Sequence, residues 1–120
     1  MKVLVEGRAQ GTVLKSEMPI NFLGAVDKKS GVITDRNHDL YGKSVRGAIL
    51  VFPAGAGSSV GAYTIYALKS GGAAPAGMIC READLTVATG CAVAGIPLHI
   101  LDPDKFASIR TGQQLLLGAD

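Results

Sequence analysis

The sequence predicts an α/β domain with a partly parallel central sheet, and three features carry that expectation. Gly47 to Phe52 is an unbroken apolar run, the pattern of a strand covered on both faces. A loop of small residues, Pro53 to Ser59, then leads into a segment with helical spacing that closes at Gly71-Gly72. Ala76 to Cys80 is a second buried run, so residues 47–80 read as strand–helix–strand, a unit whose strands lie parallel.

The remaining elements follow in chain order. Residues 2–15 alternate and are rich in Val and Leu, which predicts a strand or a bent hairpin broken near Gly11. Ile20 to Val26 reads as a short extended run, followed by turn chemistry at Asp27 to Gly31. Residues 34–44 are polar and read as a surface loop. Helix 59–70 is expected to bury a stripe of Val60, Tyr63, Thr64, Ala67 and Leu68. A second, glycine-interrupted helix is predicted over 83–94, a third buried strand over Pro97 to Leu101, and a last strand over 113–117. With 120 residues and neither repeats nor linkers, the chain is expected to form one domain spanning 1–120, its N-terminal β portion packed on the sheet.

Composition narrows the function classes. Hydrophobic residues make up 48% of the chain and charged residues only 18%, which supplies a core and leaves apolar surface for another chain to meet. Twelve basic and ten acidic residues give a net charge of +2 without runs, and the aromatic content is 5%, so no nucleic-acid partner is expected. No stretch reaches the roughly 18 apolar residues of a membrane helix, so no membrane partner is expected either. The first eight residues meet charge too early for a signal peptide, and a cytoplasmic location is expected. Cys80 and Cys91 lie in apolar surroundings and read as a reduced, buried pair. They are too few for an iron–sulfur cluster, which normally takes about four cysteines, so no metal is expected on this chain.

The segment Pro53-Ala54-Gly55-Ala56-Gly57-Ser58-Ser59 between strand and helix carries the chemical signal. Such a loop aims unpaired N–H groups and the positive helix end at one point, which suits an anion. A plain serine-capped turn is the structural alternative. A phosphate-binding P-loop needs a lysine, and none lies between Lys43 and Lys69. A dinucleotide fingerprint needs GxGxxG, whereas Gly55, Gly57 and Gly61 space the last glycine one residue too far, although Glu82 or Asp84 stands where a ribose ligand is expected. Gly57-Ser58-Ser59-Val60-Gly61 also matches the nucleophile elbow GxSxG, with Asp84 and His99 in the required order. Against it, the chain is short for a hydrolase sheet and His99 lies in an apolar strand pattern.

A longer pattern runs through the chain from about residue 20 to 100. It comprises Phe22-Leu23-Gly24-Ala25-Val26-Asp27 with Gly31-Val32-Ile33, His38 to Leu40, and Ser44-Val45 to Val51. It continues through Gly57 to Tyr63, Ile65 to Leu68, Ala73 to Ala76, Ala88-Thr89-Gly90 and Ala94 to Pro97. This pattern resembles the small subunit of the aconitase X family.

The resemblance implies a swivelling β/β/α domain that closes over a large catalytic subunit carrying an iron–sulfur cluster. It implies a dehydratase, a hydro-lyase subunit inactive by itself, acting on a small phosphorylated hydroxy acid. The implied reaction is loss of water from (R)-5-phosphomevalonate to give trans-anhydromevalonate 5-phosphate in an archaeal mevalonate route to isoprenoids. Dehydration of cis-3-hydroxyproline, as in bacterial relatives, and a non-catalytic binding module on the same fold are the alternatives. Ser58 matches the family's base, with Gly57, Ser59 and Val60 as substrate-binding neighbours, and the cluster iron would act as Lewis acid on the departing hydroxyl. Asp27, Asp35 and His38 fall in loops able to flank the site or simply to form turns. Three positions depart from the pattern: Ala56 replaces a basic residue, Val60 stands where aconitases proper carry arginine, and Leu23 replaces a tryptophan.

Overall fold

A computed structural model of the chain describes residues 2–118. Its strands are β1 (Lys2–Val5), β2 (Ala9–Lys15), β3 (Ile49–Phe52), β4 (Gly77–Cys80), β5 (Leu98–Ile100) and β6 (Gln114–Leu117). The helices are α1 (Phe22–Ala25), α2 (Gly61–Ser70), α3 (Leu85–Ala94) and α4 (Pro103–Ser108). One sheet runs in the order β1-β5-β4-β3-β2-β6. The four inner strands are parallel, β2 to β3, β3 to β4 and β4 to β5, while β1 and β6 close the edges antiparallel.

The predicted strand–helix–strand unit is therefore present, and it repeats once: α2 joins β3 to β4 and α3 joins β4 to β5. All four residues of β3 and of β4 are buried, as unbroken apolar runs in a covered parallel sheet should be. One core lies under α2 and α3 and includes Leu50, Phe52, Ile65, Leu68, Met78 and Val87. The other, on the opposite sheet face, joins Ile49, Val51, Ile79, Phe106 and Leu117. Lys15 ties α4 to this second face, its ammonium donating to the Phe106 and Ile109 carbonyls at 2.9 and 3.0 Å. A cation at a helix C-terminus suits the helix dipole.

Three expectations need correction, and one element was not expected. Residues 2–15 are not a hairpin, and the chain breaks at 6–8 rather than at Gly11. β1 pairs with β5, while β2 runs unbroken through Gly11 between β3 and β6. Pairing partners distant in sequence took both strands, which alternation cannot reveal. Ile20 to Val26 is not extended throughout: residues 22–25 form α1, because the Asn21 side chain accepts a hydrogen bond from Gly24 N–H at 3.1 Å. On α2 the buried stripe is Gly61, Thr64, Ile65 and Leu68, leaving Tyr63 76% exposed. The rotation follows from close packing on α3, where a Cβ on Gly90 would lie 2.8 Å from Ile65. Helix α4 was missed although Asp102-Pro103 starts it, with Asp102 accepting from Lys105 N–H at 2.9 Å.

His99 faces the second core, because its neighbours across the sheet are Ile79 and then Val51. The residue is 4% exposed, and neither ring nitrogen has a hydrogen-bond partner among the described residues. Burial lowers its pKa, so the folded protein holds it neutral. The unfolded chain takes up that proton as pH falls through about 6.5, and stability then drops by up to roughly 1.4 kcal/mol per pH unit until the lowered folded value is reached. Denaturation of His99→Leu between pH 7 and 5 should show this part of the slope removed. An unchanged slope would exclude His99 as its source.

Candidate active site

The turn is built by its neighbours rather than by its own side chains. Ile20 lies beside Gly55 in a parallel bridge, donating from its N–H to the Ala54 carbonyl at 3.0 Å. Ala56 N–H returns to the Ile20 carbonyl at 2.9 Å. Segment 16–21 is itself fastened from below. Ser16 Oγ donates to Asp39 at 2.6 Å, Asp39 accepts from Glu17 N–H at 2.9 Å, and buried His38 bonds the Pro19 carbonyl at 3.0 Å. His38 Nδ1 accepts from Leu40 N–H at 3.1 Å, which makes Nε2 the donor to Pro19.

Gly57 turns the chain at φ +83°, and a Cβ there would sit 2.6 Å from the Asn21 carboxamide carbon. Both the left-handed backbone and the close approach demand glycine. Gly57→Ala should cost about 1–3 kcal/mol and lower turnover by displacing the turn; urea denaturation beside an activity assay checks both effects. Unchanged activity would mean that the turn's shape is not used.

Residues 56–60 are all exposed. Ser58 Oγ accepts a hydrogen bond from Val60 N–H at 3.1 Å, and the Ser58 carbonyl receives Gly61 N–H at 3.0 Å. A cap by the Ser59 side chain is not formed; Ser58 is the serine that turns back on the backbone, while the Ser59 carbonyl accepts from Ala62 N–H at 3.2 Å. Among the described residues, the N–H groups of Gly57, Ser58 and Ser59 donate to no protein acceptor. Three free amides in a turn, followed directly by the N-terminus of a ten-residue helix, give this exposed segment a positive local potential that suits an anion. No charged side chain lies between Arg46 and Lys69, so all of the turn's own positive potential comes from backbone dipoles.

Gly57, Ser58, Ser59 and Val60 are consecutive in the exposed turn, whereas the other candidates are engaged in local structural bonds. Asp27 accepts from Lys29 N–H at 2.8 Å, a bond that holds its carboxyl below the usual range, and Asp35 accepts from Asn37 N–H at 3.0 Å. Both are turn formers, and His38 is a strut. Asp84 lies near the loop, its carboxylate 2.8 Å from where a Gly55 Cβ would be, but it caps α3 through Val87 N–H at 3.0 Å. With His99 buried in the second core, the Ser–Asp–His order does not assemble as a triad. Asn21 and Ile20 are the shaping residues that sequence reading missed. Asn21 three residues before Gly24 was the available signal, an N-cap at the head of a short helix.

The family profile of the aconitase X swivel domain matches residues 1–120. The chain belongs to the aconitase X swivel-domain family. It is similar to the phosphomevalonate dehydratase small subunit of Thermococcus gammatolerans, 46% identical over 98% of this chain and 88% of that one. The corresponding small subunit of Methanocella arvoryzae is 49% identical over 88% of this chain and 81% of its own length. The crystal structure of Thermococcus kodakaraensis aconitase X in its holo form superposes with a TM-score of 0.91 at 42% identity, covering 98% of this chain and 88% of that chain. The curled, partly parallel sheet is thus that of an aconitase X swivel domain.

An iron–sulfur cluster does not fit the residues of this aconitase X chain. Among the described residues no three His, Cys, Asp or Glu side chains group as metal ligands. Cys80 and Cys91 are free and buried, Cys91 lying 3.5 Å from the Met78 sulfur. Burial raises both thiols, that of Cys91 to about 12, so both are held protonated in the core, away from the exposed turn. Among the described residues no helix is long and apolar enough to cross a membrane.

Proposed function

We propose that this chain is the small subunit of a phosphomevalonate dehydratase, with residues 1–120 acting as one swivelling unit. The reaction is loss of water from (R)-5-phosphomevalonate to give trans-anhydromevalonate 5-phosphate. The names of the relatives support the substrate. The observation that supports a role for this chain is the turn itself: three free amides and a helix terminus in the same segment as a serine hydroxyl that already accepts an N–H. Ser58 is the base that removes the proton beside the carboxylate. A serine hydroxyl is a weak base until its alkoxide is stabilised, and donors aimed at the oxygen favour that charged form. Val60 N–H supplies one such donor. The free amides of Gly57, Ser58 and Ser59 hold a substrate oxyanion, either the carboxylate or the phosphate.

The large subunit carries the iron–sulfur cluster and the basic side chain that Ala56 does not supply. The protein works in the cytoplasm as this hetero-complex. Reconstitution with the cluster-loaded large subunit tests the reading, with phosphomevalonate and cis-3-hydroxyproline offered separately. Turnover of phosphomevalonate by the complex, and by neither subunit alone, is the expected result. Turnover of hydroxyproline instead would reassign the substrate, and a complex inert to both would make the chain a binding module.

A further inference from the structure

A groove of about 580 Å³ lies between the outer faces of α2 and α3, and one of its walls is Ser59 of the turn. None of its lining residues carries a charge. Tyr63 and Tyr66 rise from α2, Leu85 and Val93 from α3, and the four are 76%, 51%, 77% and 65% exposed. Eleven large apolar side chains are exposed among the described residues, and six of them lie on α1, the turn, α2 and α3. The other five are spread over the two sheet edges and separate loops, so apolar exposure concentrates on the face that carries Ser58. The three helices pack together at Gly61, where a Cβ would be 3.2 Å from Thr86 and 3.5 Å from Leu23 N. A patch of this kind, with exposed tyrosines beside aliphatic residues, marks a protein interface.

We infer that this groove is where an apolar segment of the large subunit docks. The inference rests on the dehydratase reading above. The turn lacks any charged side chain and the described residues group no cluster ligands, so the partner that completes the site must cover the turn. A partner over the turn lies over Val60 and Leu23 and meets the groove at Ser59. A second copy of this chain in the groove would instead cover the turn with another surface unable to hold a cluster. Docking on α2 and α3 also anchors the helix whose N-terminus presents Ser58, coupling subunit association to the placement of that residue.

Leu85→Glu and Val93→Lys test this, since Glu at the start and Lys near the end of α3 suit the helix dipole and leave the fold intact. Leu116→Glu on the exposed edge strand β6 is the control, Leu85→Ser is a milder variant, and circular dichroism checks the fold of each. Titration calorimetry with the cluster-loaded large subunit should show Kd raised about tenfold or more by each groove charge, with the control unchanged. At saturating large subunit, kcat should be retained. Groove variants that bind as tightly as the unaltered chain overturn the docking site. So does sedimentation showing a dimer of this chain that only the groove variants dissociate, if they still bind the large subunit normally. If the groove variants lose affinity but the intact complex does not turn over phosphomevalonate, docking stands and the substrate reading falls. If turnover is intact and Kd unmoved, the docking site alone falls.

Discussion

Ser58→Ala should lower kcat of the reconstituted complex by about 10²–10⁴-fold, the range expected when a positioned base is removed. The fold should hardly register the change. Ser58 is exposed, and the one hydrogen bond of its hydroxyl is accepted from Val60 N–H at 3.1 Å. Losing it frees one exposed amide at the start of α2, a cost of about 1 kcal/mol or less. Association should be equally untouched, because the turn's shape rests on Gly57, Asn21 and the Ile20 bridge rather than on the hydroxyl. Ser59→Ala is the informative companion: its hydroxyl makes no hydrogen bond among the described residues, so its loss should raise KM more than it lowers kcat. Steady-state kinetics on the two variants, with subunit affinity measured in parallel, separates the roles. A Ser58→Ala complex at full rate, or the large kcat loss falling on Ser59, would move the base elsewhere.

Phe52→Ala should be the most damaging core truncation near the site, costing about 3–5 kcal/mol. Phe52 is fully buried at the end of β3, one residue before the loop begins. Its ring meets Phe22 of α1 edge to face, with centroids 5.7 Å apart and planes at 68°, a contact that favours the pair beyond its buried area. Truncation opens a cavity beneath α1, the helix capped by the same Asn21 that abuts Gly57. Turnover should therefore fall along with the denaturation midpoint, whereas Phe52→Leu, which keeps most of the volume, should lose less of both. If Phe52→Ala destabilises the chain without slowing the complex, α1 does not hold the turn in place.

Much of this molecule was legible before any coordinates. The runs at 47–52 and 76–80 are short, unbroken and apolar, the pattern of strands buried on both faces, and the structure places β3 and β4 in them. Helix α3 was expected over 83–94 and runs from Leu85 to Ala94, its start set by the Asp84 cap and its end by Gly95. Elements decided by distant partners were not legible. Helix α1 is four residues long and set by a single cap, too brief for periodicity to register. The face that α2 buries depends on where Gly90 admits Ile65, which no spacing within α2 records.

The same division holds for the turn itself. The sequence by itself determined that small residues and paired serines stand between a buried strand and a helix, and that neither a phosphate-loop lysine nor a full set of cluster ligands is present. These are properties of residue type and spacing, which the chain carries unfolded. Tertiary structure decided which serine bends back on the backbone, which amides stay free, and that His99 lies across the sheet from any role with Ser58. It also decided that the exposed apolar side chains gather on the face of the turn. Each of these depends on how segments far apart in the chain approach one another, and that follows from burial and pairing across the whole sheet.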